Sequence, residues 1–378
     1  MLGIYAHVPF CVRRCAYCDF FTLPDASDGA RSRLARSLVR DLELAARAGL
    51  QFREVDTLYF GGGTPSRLDP GEIGAVVESV RRLFEWRDPA EVTLEANPED
   101  LRVAHLEALR AAGINRLSLG VQTLDGATLR ALGRLHGEPE VHAAAHAARE
   151  AGFDNLNLDL ICGLPGLERS KWVDQLGTLV DRHRPEHLSI YMLDMDKQTP
   201  LLGEVEAGRA QLPSEQEVLG AFEGSLKLLD TAGYEHYEIS NFARPGYRSH
   251  HNLKYWLDEP FLGIGPSAWS YIEGRRWRRV ADLEGYLKAI DAGRIPDDSI
   301  EPVDPDRRLA EAVIMGLRLR DGIDLEACGR AHGRDAWAVY GETVRRLEEQ
   351  GWLEQVRGRL RLTDTALPVA NSVWAEFL

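Results

Sequence analysis

Tyr5-Ala-His7-Val-Pro9-Phe10-Cys11-Val-Arg-Arg-Cys15-Ala-Tyr17-Cys18 gathers three of the chain's five cysteines within eight positions. Thiolates are soft ligands, and a compact trio suits zinc or an iron–sulfur cluster. A structural zinc ion asks for four protein ligands, and no second Cys-x-x-Cys pair follows anywhere downstream. His7, four residues ahead of Cys11, could complete a zinc set, so that alternative stays open on sequence. A [4Fe–4S] cluster on three thiolates instead leaves one iron free to hold a small molecule or do chemistry. Cys162 reads as a small buried hydrophobe and Cys328 as incidental.

The remaining composition sets bounds on this reading. At 378 residues the chain exceeds one ordinary core, so two or more domains are expected. Apolar residues make up 44% and the net charge is −14 without a run of like charges. Such a surface disfavours sequence-independent nucleic-acid binding. The start Met-Leu-Gly-Ile-Tyr has no basic n-region or cleavage site, and no apolar run approaches the ~20 residues that span a bilayer. Five cysteines, mostly bunched, suit metal ligation in a reducing compartment better than a disulfide framework, so a cytoplasmic location is expected.

Short apolar runs alternate with amphipathic stretches up to about residue 195. Candidate strands are Leu2–His7, Val55–Phe60, Val92–Ala96, Arg116–Gly120, Asn155–Leu160 and His187–Tyr191. Leu34, Leu38, Leu42 and Ala45 recur at helical spacing, as do Ile73, Val76, Val77, Val80 and Leu83, and then Leu101, Ala104, Ala108 and Leu109. Alternation of this length means βαβ units and a parallel sheet. Six units suggest an α/β partial (βα)6 barrel with its site where the strands end; a doubly wound sheet has the same pattern.

The strand ends carry the chemistry. Gly61-Gly62-Gly63-Thr64-Pro65 follows the second strand, Glu95-Ala96-Asn97-Pro98 closes the third, and Gly120-Val121-Gln122-Thr123 follows the fourth. Asn157 and Asp159 precede Gly163-Leu164-Pro165 on the fifth. Glycines let a ligand approach the backbone, and neighbouring carboxylates and amides fix its hydroxyls and charges. Alone, Glu95 reads as a helix-capping residue and the glycine triplet as a tight turn; neither a Walker loop nor a GxGxxG fingerprint is present.

Cys-x3-Cys-x2-Cys near the chain start resembles the radical S-adenosylmethionine (SAM) superfamily. Within it, the chain is similar to the branch that holds oxygen-independent coproporphyrinogen III oxidase and the related heme chaperones. The likeness runs through Tyr5-x-His7-x-Pro9-Phe10-Cys11, the triple glycine, Glu95, Gly120-Val121-Gln122 and Asp159-Leu-Ile-x-Gly163-Leu-Pro165. It continues in Tyr237-Glu238-Ile239-Ser240-Asn241-Phe242, His251-Asn252-x-x-Tyr255-Trp256 and Gly263-Ile-Gly265-Pro266. The resemblance implies a radical SAM partial barrel in which Cys11, Cys15 and Cys18 hold a [4Fe–4S] cluster. It implies that Tyr5, Tyr17, Gly62, Gly63 and Thr64 line the SAM site, that Glu95 and Asp159 face the ribose side with Gln122 nearby, and that Arg134 meets the carboxylate. An arginine fork suits a carboxylate, although a solvated helix charge would look the same in sequence.

Two departures separate the relatives. Oxidases carry a further cysteine where this chain has Phe20, and an extended segment ahead of the motif, whereas Cys11 here comes almost at once. Both point to the chaperone branch: a protein that binds heme and hands it to an acceptor protein, such as a membrane-bound respiratory enzyme. The alternatives are the oxidase activity itself, or a radical SAM methyltransferase. By the same resemblance, His251, Asn252, Tyr255 and Trp256 belong to heme; imidazole suits heme iron and aromatic walls suit a porphyrin face. A histidine among aromatics is more often a hydrogen-bonded core residue, and adjacent His250 competes for the ligand role.

The domains expected are 1–200 for the barrel, 201–300 for an extension carrying the heme segment, and 301–378 for a C-terminal module. Val218, Phe222, Leu226 and Leu229 mark a helix in the extension, and Glu301-Pro-Val-Asp-Pro305 reads as a linker. Helices at Leu309–Leu317, near Leu325 and over Trp337–Leu347, then a hairpin of Trp352–Val356 and Leu360–Thr363, form a winged-helix-like pattern. Without a basic recognition helix this module reads as a packing or protein-contact domain, with no nucleic-acid partner.

Overall fold

A computed structural model describes residues 1–24, 26–50, 53–301 and 304–378. Six parallel strands, β1 (Leu2–Val8), β2 (Glu54–Gly62), β3 (Glu85–Ala96), β4 (Arg116–Gln122), β5 (Leu156–Cys162) and β6 (His187–Met192), pair in sequence order. Tyr5 stands opposite Tyr59, Glu95 opposite Ser118, and Gly120 opposite Asp159. A doubly wound sheet would reverse direction at its first strand; this one winds one way only, which is barrel winding.

The intervening helices form because each buries one stripe. In α1 (Asp28–Ala45), Leu34, Leu38, Leu42 and Ala45 are buried, and Ser27 caps its start by accepting from the Ala30 N–H at 3.2 Å. α2 (Pro70–Leu83), α3 (Val103–Ala111), α4 (Gly126–Ala131), α5 (Glu138–Glu150) and α6 (Arg169–His183) follow in turn. α1 packs on α2, α2 on α3, α3 on α5 and α5 on α6, an outer arc around the strands. The expected face of α3 needs correction: the helix starts at Val103, Leu106 and Leu109 point inward, and Ala104 is exposed. A one-turn 3-10 segment at Pro98–Asp100 uses up the chain that the spacing assigned to the helix.

Residues beyond the six units add strands to both ends of the sheet, which the sequence reading did not foresee. β7 (Glu235–Glu238) and β8 (Asn241–Ala243) extend it beside β6, antiparallel. β9 (Phe261–Ile264) runs parallel beside β1, and β10 (Trp269–Ile272), β11 (Arg275–Arg279) and β12 (Asp297–Glu301) continue outward, giving twelve strands in one sheet. α7 (Pro200–Glu206) and α8 (Glu215–Thr231) lie between β6 and β7, α9 (His250–Trp256) between β8 and β9, and α10 (Leu283–Asp291) packs on α1. One apolar core joins all of this, from Leu2 to Ile290.

A second core gathers α11 (Pro305–Gly316), α12 (Leu325–Ala331), α13 (Ala336–Glu349) and the antiparallel hairpin β13 (Leu353–Val356) and β14 (Arg359–Leu362). Phe222 of α8 belongs to this core, so α8 serves both. Of the expected linker, Pro302 and Val303 lie outside the described residues; Glu301 ends β12 and Pro305 opens α11.

A three-cysteine cavity as the candidate functional site

The cysteine loop leaves β1 and crosses the carboxyl ends of the strands. Backbone bonds pin it: Gly63 N–H to Val8 O at 2.8 Å, Thr64 N–H to Phe10 O at 2.8 Å, and Ala16 N–H to Leu132 O at 2.9 Å. The Leu201 N–H of α7 reaches Ala16 O at 2.8 Å, so the polar stretch after β6 clamps the loop from above. Cys11, Cys15 and Cys18 are half-buried and open together on a cavity of about 480 Å³. Burial raises the Cys11 thiol above its ordinary value and pushes Cys18 up to about 11. A soft metal displaces such protons on binding, so the raised Cys11 and Cys18 thiols are compatible with a cluster site.

His7 does not join them. Its Nε2 lies 2.9 Å from the Phe21 carbonyl and so carries the proton, while Nδ1 accepts from Tyr5 Oη at 3.1 Å. With both nitrogens engaged, the fourth ligand that zinc would need is not supplied. Phe20 stands at the mouth, 62% exposed.

Across from the thiols, the strand ends bring the expected residues together. Gly62 has φ +113°, and a Cβ there would sit 2.5 Å from His7 Cε1; at Gly63 it would sit 2.8 Å from the Pro9 and Phe10 backbone. Only glycine fits this edge. Glu95 Oε2 accepts from the Gly62 N–H at 3.1 Å and Oε1 from Tyr59 Oη at 2.8 Å. Asp159 accepts from Ser118 Oγ at 2.8 Å and Asn157 Nδ2 at 2.9 Å. Burial, then the charge of Asp159, raises Glu95 to about 7, and burial also raises Asp159. Two carboxylates under one cavity, with buried Arg116 as a counter-charge, are poised to accept hydroxyls or offset a cationic ligand.

Arg134 is buried. One guanidinium nitrogen donates to Asn97 Oδ1 at 2.7 Å and Gly120 O at 2.6 Å, and the other points at Cys15 Sγ, 3.7 Å away. Thr64 Oγ1 likewise donates to Cys11 Sγ at 3.7 Å. Tyr17, Gln122 and Asp159 complete the lining. Tyr5 is the exception among the expected SAM residues: it lies one layer below, its ring 6.1 Å from that of Tyr59. Sequence reasoning missed Tyr59, Ser118 and Arg116. Their signal was the period-two alternation, since Thr57, Tyr59 and Gly61 fall on one face of β2, and Arg116, Ser118 and Gly120 on one face of β4.

The four expected heme residues are not brought to this cavity. α9 sits at the opposite, amino-terminal end of the strands, where Glu91 of β3 accepts from the His250 N–H at 2.9 Å and the His251 N–H at 3.0 Å. His251 is 1% exposed. Its Nδ1 pairs with Thr57 Oγ1 at 2.8 Å and its Nε2 with Tyr255 Oη at 2.9 Å, and burial lowers it to about 3. Asn252 and Trp256 are half-buried and His250 is exposed. Trp256 lies under the Arg318 guanidinium at 4.1 Å and lines a crevice of about 250 Å³ with Cys328 and His332.

A sequential parallel barrel with three cysteines on the loop after its first strand defines a radical SAM protein, and residues 5–176 match the radical SAM superfamily. Residues 303–369 match the HemN C-terminal domain. The chain is 31% identical to the heme chaperone HemW of Bacillus subtilis, covering 100% of this chain and 99% of that protein. It is 36% identical to the heme chaperone HemW of Mycobacterium tuberculosis over 98% of this chain and 93% of the relative. Radical S-adenosyl methionine domain-containing protein 1, mitochondrial, of Bos taurus is 33% identical, with 100% and 87% covered. The chain belongs to the HemW family of heme chaperones. Its fold is that of coproporphyrinogen III oxidase (HemN) from Escherichia coli, with a TM-score of 0.85 at 24% identity, covering 100% of this chain and 89% of that one.

Proposed function

We propose that the protein is a cytoplasmic heme chaperone that carries a [4Fe–4S] cluster and SAM, binds heme, and passes it to an acceptor protein. A cavity with three cysteines and two carboxylates, in a chain similar throughout its length to heme chaperones, carries this reading. Cys11, Cys15 and Cys18 would hold the cluster, which when bound would supply an open iron for SAM. The Gly62–Gly63 edge would offer backbone to the ammonium, Glu95 and Asp159 would accept from the ribose side, and Arg134 would supply the counter-charge for the carboxylate. Tyr17, Thr64 and Gln122 shape the wall, and Tyr5 supports it from below.

For heme we read α9 from its outer side. His251 could ligate iron only by giving up Thr57 or Tyr255 from a buried seat, whereas exposed His250 offers an imidazole at no such loss. The half-buried Trp256 and its crevice supply apolar wall at the other end of the helix. No described helix is long and apolar enough to cross a membrane, so a membrane-bound acceptor would be met at its surface.

The deciding experiment compares heme binding with coproporphyrinogen consumption by anaerobically reconstituted protein supplied with SAM and a strong reductant. Heme binding without porphyrinogen turnover is expected. Turnover without heme binding would instead favour the oxidase reading, which Phe20 counts against.

A further inference from the structure

Two columns of side chains run through the barrel from α9 to the two carboxylates of the cavity. In the first, the His251 ring stacks on Tyr59, centroids 5.1 Å apart and planes 27° from parallel. Tyr59 Oη donates to Glu95 at 2.8 Å, and Glu95 holds the Gly62 N–H at 3.1 Å. The second starts at Ser249, the N-cap of α9. The Ser249 N–H donates to Tyr237 Oη at 3.3 Å, and Tyr237 Oη meets His187 Nε2 at 2.8 Å. His187 Nδ1 meets Asn157 Oδ1 at 2.6 Å, and Asn157 Nδ2 donates to Asp159 at 2.9 Å.

The chemistry fixes the direction of the second column. Asp159 can only accept as a carboxylate, so Asn157 turns its NH2 toward it and its oxygen toward His187. His187 must then donate from Nδ1 and accept at Nε2 from the Tyr237 hydroxyl. Every proton along the chain points at Asp159, the arrangement in which successive bonds polarise one another. Ser249, Tyr237, His187 and Asn157 are each at most 2% exposed, so water cannot replace a lost member cheaply.

We propose that α9 is the floor of the SAM site, with His251 and Tyr237 acting as positioning residues that set where Glu95 and Asp159 stand. This rests on reading the cavity as a SAM site, and it gives the His-Asn-x-x-Tyr-Trp helix a task other than offering His251 to iron. A merely structural network would stabilise the fold without touching the ligand. The two are separable, because Tyr237→Phe removes one hydroxyl and keeps the ring.

The test uses the full chain, anaerobically reconstituted, with SAM affinity measured by equilibrium dialysis between pH 6 and 8.5. Iron content and melting temperature are followed alongside. Tyr237→Phe and His251→Ala should each weaken SAM binding about three- to tenfold, the worth of one buried hydrogen bond, at unchanged iron content. His251→Gln, which can still reach both hydroxyls, should recover part of the loss and covers the case in which the alanine variant does not fold. Tyr59→Phe should move the pH midpoint of SAM binding upward, since its hydroxyl favours ionised Glu95. The other groups facing Glu95 stay in place: Asp159 from β5, Arg116 from β4, Tyr5 from β1, Tyr191 from β6 and Tyr255 from α9. If unmodified protein binds SAM and these variants bind it equally well, with only the melting temperature lowered, the positioning role is overturned. If unmodified reconstituted protein binds no SAM, the reading of the cavity fails first.

Discussion

Replacing Glu95 by Gln should stabilise the empty protein in mild alkali while damaging its ligand site. Burial and the charge of Asp159 raise the Glu95 carboxyl from 4.5 to about 7. That difference is worth about 3 kcal/mol against the ionised form. For an acid whose folded value is raised, the cost is absent below about pH 4.5, where folded and unfolded chains are both protonated. It grows as pH rises and is complete above about pH 7. Glutamine escapes it, keeps its oxygen for the Gly62 N–H, and turns its NH2 toward Tyr59 Oη, whose hydroxyl must then accept. The charge-assisted character of both bonds is already contained in the raised value and takes nothing further from this difference. The variant should therefore gain about 3 kcal/mol at pH 8, and at pH 5 be no more stable than the unmodified chain. Melting of the metal-free, reduced protein at the two pH values reads the difference, and SAM binding by the reconstituted protein at pH 8 should fall tenfold or more. An equal loss of stability at both pH values would refute the reasoning, because Glu95 would then not be a strained carboxylate.

Cys11→Ala, Cys15→Ala and Cys18→Ala should each abolish reconstitution of a brown, oxygen-sensitive chromophore, while Cys162→Ala and Cys328→Ala leave it intact. One zinc per chain and no iron after reconstitution would sink the cluster. His250→Ala should weaken heme binding and shift the visible heme spectrum, whereas His251→Ala should leave that spectrum unchanged; the reverse pattern would return the ligand role to His251. Asp41 is fully buried against Arg279 at 2.9 Å, Tyr286 at 3.0 Å and the Gly265 N–H at 3.3 Å, joining α1 to the added strands. Asp41→Ala removes one of the two carboxylates on Arg279, leaving Asp297, and should cost about 1.5–3 kcal/mol in denaturant melts; a loss near zero would mean Asp297 and water satisfy the guanidinium.

The barrel was legible because each of its six strands is six or more residues long, apolar, and followed by a helix with one buried stripe. The six added strands are three to five residues long, and every one of them has an antiparallel partner, four lying in the aromatic, histidine-bearing stretch. There the period-two pattern has no length in which to show. α3 failed for a related reason: Leu101 shares the helical spacing but belongs to the turn before it. In the cavity, the cysteines, the glycines and both carboxylates could be read because function leaves a polar residue at a strand end. Tyr59 and Arg116 could not, since residues inside a barrel look like any other members of a strand.

The heme segment shows where motif reading stops. His251-Asn252-x-x-Tyr255-Trp256 names residues but not the end of the barrel they occupy, nor the way each side chain faces. On a helix, positions four apart share a side, and that is why His251 meets Tyr255 at 2.9 Å while His250 turns outward. Gly3 lets the Lys254 stem pass 2.7 Å from where its Cβ would be, and Lys254 pairs with Asp56 at 2.7 Å, so the helix is seated against the first two strands. On the positioning role proposed above, a shift of this helix would move both Glu95 and Asp159. Any ligand that binds its outer face more tightly in one seat than another must therefore change the affinity of the cavity above, and SAM must change the affinity for that ligand by the same factor.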